Sequence, residues 1–243
     1  MDKDKPKYSA IFVSDIHLFC GYKDKEREDS FLRFLDDISL KTDNIYILGD
    51  LFDFYYEYSK VILKESFKVF DKLYQISSKG KQVFFMGGNH DYWTGEFLSS
   101  IGIEVIPSPY ATKIDEHSVY LHHGDGIPKW DWKYRLMRKI IRSPFAIKSF
   151  SIIHPNIARS IVKIFSVTSR RAISGKMRPS ESYLEFAQKL LRMGYDIVIM
   201  GHTHIPEIER LDGGIYINTG DWVKNFTYSV IENGEAKLFK WVE

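Results

Sequence analysis

Five short apolar runs along this chain each stop at a residue able to carry a proton or bind a cation, and that recurrence limits the fold more than any other feature. Tyr8 to Val13 is followed by Ser-Asp15-Ile-His17, the run at 44–48 by Gly49-Asp50-Leu-Phe-Asp53, and the run at 82–86 by Gly-Gly88-Asn89-His90-Asp91. The run at 117–121 leads into His122-His123-Gly-Asp125, and that at 196–200 into Gly201-His202-Thr-His204. Between them 26–40, 60–78 and 181–193 carry apolar residues at helical spacing, while 103–106 and short stretches around Gly213-Gly214 and on to the end read as further strands. Alternating strands and helices predict an α/β protein. In an open sheet of this class ligands bind beyond the carboxyl ends of the strands, so five polar loops far apart in sequence can meet in one place.

Each loop is weak by itself. Gly-Gly-Asn is ordinary turn chemistry, and Asp-X-His arises often by chance. Taken together they supply the inventory of a two-cation site: a bridging carboxylate and several oxygen and nitrogen donors, which clamp the attacking and leaving oxygens of a phosphoryl displacement. The chain has one cysteine, Cys20, so a thiolate zinc cluster is excluded. It has neither a Walker loop nor a Gly-X-Gly-X-X-Gly fingerprint, which argues against nucleoside-triphosphate or dinucleotide machinery.

In order and spacing, the series Asp15-X-His17, Gly49-Asp50-X-X-Asp53, Gly88-Asn89-His90-Asp91, His123-Gly-Asp125 and Gly201-His202-X-His204 resembles the calcineurin-like metallophosphoesterase superfamily over nearly the whole chain. The resemblance implies a sandwich of two mixed β-sheets flanked by helices, with two divalent metal ions at the strand ends. It would place one ion on Asp15, His17, Asp50 and His204 and the other on Asp50, Asn89, His123 and His202, with Asp50 bridging. Asn89 would then be a neutral ligand that adds no charge to repel a phosphate. His90 would stabilise the transition state or protonate the leaving oxygen, oriented by Asp91, and a metal-activated water would be the nucleophile. The mixed imidazole, carboxylate and amide donors make Mn2+ the expected ion.

Charge is unevenly placed. The chain carries a formal net charge of +2, yet residues 127–178 hold thirteen Lys and Arg against the single Asp131, so that segment is +12 and the rest −10. Trp, Leu, Ile and Phe are interleaved with these cations at helical spacing. We therefore expect 1–126 together with 179–243 to form a metallophosphoesterase core, and 127–178 to be a basic amphipathic helical lid inserted in it. Such a lid can be plain helix core with a solvated basic face, a nucleic-acid surface, or a surface that meets anionic lipid. Its apolar content exceeds what tracking a nucleic-acid backbone requires, so a lipid-facing role is expected and no nucleic-acid partner. The opening MDKDKPKYSA has no apolar stretch behind its charges, and a single cysteine fits a reducing compartment. The expected location is the cytoplasm, with peripheral association at the inner membrane.

A narrower resemblance is to the UDP-2,3-diacylglucosamine pyrophosphohydrolases of the lipid A pathway. It is carried by His123-Gly-Asp125 followed by Asp131-X-X-Tyr134-X-X-X-Arg138, by Ser169-Arg170 with Ser174-X-Lys176, and by His202-Thr-His204-X-Pro206. It implies a helical cap that sandwiches acyl chains, a UDP-linked glycolipid substrate cleaved to UMP and 2,3-diacylglucosamine 1-phosphate, and substrate contacts at Asn89, His90, Asp131, Tyr134, Arg138, Ser169 and Lys176. The familiar branch of that family has Arg after the metal-binding Asn, where this chain has His90, a group that can move a proton as well as carry charge. Three other readings make different demands. A nuclease or nucleotide phosphodiesterase of the same superfamily would be indifferent to acyl chains. A non-catalytic scaffold would lack a ligand, and a nucleic-acid-binding module would bind with steep salt dependence and no need of metal.

Overall fold

The computed structural model describes residues 6–19, 24–128, 131–158 and 180–242; Cys20, Ser169 and Lys176 lie outside them. The first sheet is built from β1 (Ala10–Val13), β2 (Asn44–Ile47), β3 (Gln82–Met86) and β4 (Ile103–Ile106), all parallel. It is extended past β1 by the antiparallel strands β10 (Thr227–Glu232) and β11 (Glu235–Lys240), in the order β11-β10-β1-β2-β3-β4. The second sheet contains β5 (Tyr110–Ile114), β6 (His117–His122), β7 (Ile197–Met200), β8 (Glu207–Leu211) and β9 (Gly214–Asn218), in the order β5-β6-β7-β9-β8. There β6, β7 and β9 are parallel, and the two edge strands are antiparallel.

The period of two along each strand divides its side chains between two apolar layers. Ala10, Phe12, Tyr46, Phe84 and Met86 pack against Val119, Leu121, Ile197, Ile199 and Ile217 between the sheets. Ile11, Val13, Ile45, Ile47, Val83 and Phe85 face the other way, toward helices α1 (Asp24–Ser39) and α2 (Phe67–Ser78). Both faces of these strands are buried, which is why the sequence shows continuous apolar runs rather than alternation. α1 contributes Phe31, Phe34, Leu35 and Ile38, one helical stripe.

A short helix, α3 (Phe97–Ser100), precedes β4, and α4 (Trp132–Ile141) and α5 (Pro144–Phe150) follow β6. α6 (Ser180–Arg192) covers the second sheet with Tyr183, Ala187, Leu190 and Leu191 against Val198, Met200 and Tyr216. The result is the expected α/β sandwich of two mixed sheets flanked by helices. No helix among the described residues is long and apolar enough to cross a membrane.

Two local expectations are corrected. The helix read at 60–78 begins only at Phe67, behind a 3-10 turn at Lys64–Ser66, because Leu63 is extended and Val61 and Ile62 stand exposed instead of joining a buried stripe. The strand β5 was not anticipated. It lies on a sheet edge and exposes much of its length, so it carries no burial pattern in its sequence.

Candidate metal centre

The turns after β1, β2 and β3 leave the same end of the first sheet, and those after β6 and β7 leave the facing end of the second. Side chains bridge them: His123 Nε2 is 3.5 Å from Asp50 Oδ2, and His204 Nε2 is 3.5 Å from Asp15 Oδ1. Close approach of backbone makes this possible. A Cβ at Gly88 would lie 2.1 Å from Asp50 Oδ1, and one at Gly201 2.6 Å from Asp15 Oδ2. Asp15, His17, Asp50, His202 and His204 all have φ between 49° and 70°, a left-handed conformation that costs energy outside glycine. Strain concentrated on five polar residues at strand ends points to a site that the surrounding packing holds in place.

Three groups of side chains have ligand atoms close enough to share an ion: Asp15, His17 and His204; His17, Asp50 and His90; and Asp50, His123 and His202. Asp50 belongs to two of them. The donor chemistry fits divalent cations. Asp15 is fully buried, and its Oδ1 has no hydrogen-bond partner, an arrangement that leaves a carboxylate oxygen facing the site. His17 and His204 bring their Nε2 atoms to 3.3 Å. His123 Nδ1 lies 2.8 Å from the Leu48 carbonyl, so it donates there and turns Nε2 to the site, where Asn89 Oδ1 accepts from it at 3.0 Å.

The buried charges perturb one another. Burial opposes a charged His17, but the carboxylates of Asp15, Asp53 and Asp50 override it and push its pKa up to about 10. His123 is driven down by burial and then raised to about 10 by Asp50. His202, half-buried and beside His123, is pushed down to about 4 by desolvation and by that neighbour. Asp50 is held well below the usual carboxylate range, the pull of His123 and His90 exceeding the burial penalty.

Four further residues shape the centre. The Asp53 backbone carbonyl lies 2.7 Å from His90 Nδ1, and its Oδ1 is 3.5 Å from His17 Nδ1. His90 was expected to be oriented by Asp91; it is held by Asp53 instead. The Asp91 carboxylate is spent on four backbone N–H groups, of Asp50 (3.0 Å), Leu51 (2.7 Å), Phe52 (3.2 Å) and Gly88 (2.9 Å), so it staples two of the ligand-bearing loops together. Asp221 Oδ2 lies 3.2 Å from His204 Nδ1, while its Oδ1 accepts the N–H groups of Val223, Lys224 and Asn225. Asp125, 2% exposed, gathers three donors from α4 and its end on Oδ2: Tyr134 Oη (3.0 Å), Arg138 Nη1 (2.8 Å) and Arg142 Nη2 (3.1 Å). Tyr134 and Arg138, expected to meet substrate, thus dock the helix onto the core in this state. Asp131 stands at the N-cap of the same helix. Asp221 and Arg142 were missed, although Asn218-Thr-Gly-Asp221 is one more polar ending of an apolar strand.

Residues 8–206 match the calcineurin-like phosphoesterase family, in a span that contains every one of these candidate ligands. The chain belongs to that family. Among its relatives in this family are the UDP-2,3-diacylglucosamine hydrolases of Haemophilus influenzae (strain PittGG), 27% identical over 96% of this chain and 98% of the relative, and of Stenotrophomonas maltophilia (strain K279a), 30% identical over 95% and 97%. A solved phosphoesterase from E. coli is similar over 95% of this chain and 92% of its own, at 14% identity and a TM-score of 0.49. Calcineurin-like phosphoesterases act with divalent metal ions, and this member is a metal-dependent phosphodiester or pyrophosphate hydrolase.

Proposed function

We propose that this protein hydrolyses the pyrophosphate of UDP-2,3-diacylglucosamine to UMP and 2,3-diacylglucosamine 1-phosphate, a step of lipid A biosynthesis. The observation that carries this reading is the similarity to hydrolases named for that substrate, sustained over nearly the full length of both chains. In the proposed centre Asp15, His17, Asp50 and His204 hold one cation and Asp50, Asn89, His123 and His202 the other, with Mn2+ the favoured ion. Such a pair, when bound, brings the pKa of a water toward neutrality and offsets the charge that develops on the phosphoryl oxygens.

The chain's own groups do the rest. His90, its Nδ1 held by the Asp53 carbonyl, keeps Nε2 for the leaving oxygen and delivers a proton there. Asn89 adds a donor without charge. Residues 127–178 act as a lid, in which Asp131, Tyr134, Arg138, Ser169 and Lys176 meet the sugar and phosphate, with Tyr134 exchanging Asp125 for substrate and Arg138 keeping Nη1 on Asp125. The exposed Trp132, Leu136, Ile140, Phe145 and Ile152, together with the +12 charge of the segment, support docking at the anionic cytoplasmic surface of a membrane, with no nucleic-acid partner.

Release of UMP from UDP-2,3-diacylglucosamine in mixed micelles with Mn2+ tests the reading, alongside Asn89→Ala, His90→Ala and a soluble phosphodiester. Cleavage of the glycolipid that both substitutions cripple is the expected result. Brisk turnover of the soluble ester with no UMP from the glycolipid would leave the metal centre standing and remove the substrate.

A further inference from the structure

We propose that Arg142 is a substrate-binding residue that takes the second phosphate of a pyrophosphate, the one remote from the metal centre. The inference rests on the pyrophosphate reading above and names a residue of that site which neither the sequence motifs nor the relatives' names assign.

Arg142 is the C-cap of α4, and its guanidinium is pinned on three sides. Nη2 donates to the Gly88 carbonyl at 3.0 Å and to Asp125 Oδ2 at 3.1 Å, and the group lies 4.0 Å from the centre of the Tyr92 ring. Gly88 directly precedes Asn89, and it is the glycine whose Cβ would strike Asp50 Oδ1. The guanidinium therefore stands at the wall of the metal centre, although Arg142 belongs to the inserted helix.

Charge does not balance there. Asp125 is one buried carboxylate, and both Arg138 and Arg142 bond its Oδ2, which leaves one positive charge over. Arg142 is only 18% exposed in its side chain, so water screens that surplus poorly. A half-buried cation in excess is stabilised by an anion brought to it. The means to bind one is present. Among the described residues nothing hydrogen-bonds Nε or Nη1 of Arg142, so each keeps N–H donors for a phosphate oxygen while Nη2 holds the group in place. Docking of α4 alone would not need it, because Arg138 already meets Asp125 through both the backbone carbonyl (2.8 Å) and Oδ2 (2.8 Å).

A pyrophosphate diester such as UDP-glucose carries two phosphates and no acyl chain, whereas UMP carries one. We would titrate each into Mn2+-loaded wild-type, Arg142→Lys and Arg142→Met protein by calorimetry. Wild type should prefer UDP-glucose, and Arg142→Met should lose about tenfold or more of that preference, as befits a charged hydrogen bond, with Arg142→Lys between. If both ligands weaken equally, Arg142 only positions the Gly88 loop and the proposal falls. It falls equally if neither weakens, or if wild type shows no preference. Because UDP-glucose lacks acyl chains, failure to cleave the glycolipid would count against the substrate assignment and leave this result intact.

Discussion

His90 and Asp91 are neighbours in sequence with different work. Asp91 is fully buried and its two oxygens accept four backbone N–H groups, so Asp91→Asn turns an acceptor into a donor aimed at the backbone. The metal-free variant should lose about 2–3 kcal/mol in a denaturant titration, the cost of leaving buried donors unpaired. His90→Ala should leave that midpoint nearly unmoved and lower turnover by about 10²–10⁴-fold, the range of a general acid. Reversed outcomes would mean that the two roles have been exchanged. Asp221→Asn makes a finer cut. Its amide oxygen can still cap the loop, which the buried Trp222 anchors against Phe31 and Phe34, but an NH2 group facing His204 Nδ1 forces the proton onto Nε2. Affinity at one of two metal sites should fall by about 10–100-fold with the melting temperature of the metal-free protein little changed, as read by Mn2+ titration. The motif residues were legible because each ends an apolar run. The partners that orient them were not, since a carboxylate that serves backbone N–H groups looks the same in sequence as one that serves a metal.

Among the elements, central strands were legible, and of the edge strands β4 was while β5 was not. β1, β2, β3 and β7 announce themselves by runs buried on both faces, whereas β5 is half exposed. The inserted helices were legible as amphipathic, yet nothing in the sequence said where they dock. Phe150, at the end of α5, enters a cage of Phe54, Tyr56 and Trp93, stacked on Trp93 at 5.8 Å, and Tyr56 donates to the Ile147 carbonyl at 2.8 Å. Phe54 and Trp93 belong to the loops after β2 and β3, so the cage couples α5 to the ligand-bearing turns. Phe150→Ala removes three ring contacts of about 0.5–1.5 kcal/mol each. Hydrogen exchange in 144–150 should quicken at least tenfold while the β-sheet amides keep their protection; uniform loss across the sheets would show that α5 is part of the core and no separate layer.

At the scale of the whole molecule, the buried ligand set makes stability, pH and metal one problem. In the metal-free protein His17 and His123 titrate near 10, above the ordinary imidazole value of 6.5. A folded-state pKa that is raised contributes stability in full below the unfolded value, and the contribution is lost as pH rises through the folded one, here between about 6.5 and 10. His202, pushed down to about 4, acts in the opposite sense and removes stability as pH falls below its unfolded value. The EDTA-treated protein should therefore be most stable near neutrality and weaken toward pH 9. Cations bound to neutral imidazoles and carboxylates replace those protons, and their affinity grows as the protons leave. The melting-temperature gap between Mn2+-loaded and EDTA-treated protein should then widen steadily from pH 7 to pH 9, and loading at pH 7 should release protons, visible as a dependence of the calorimetric heat on buffer ionisation. A gap that stays constant, with no protons released, would mean that His17 and His123 do not hold the cations.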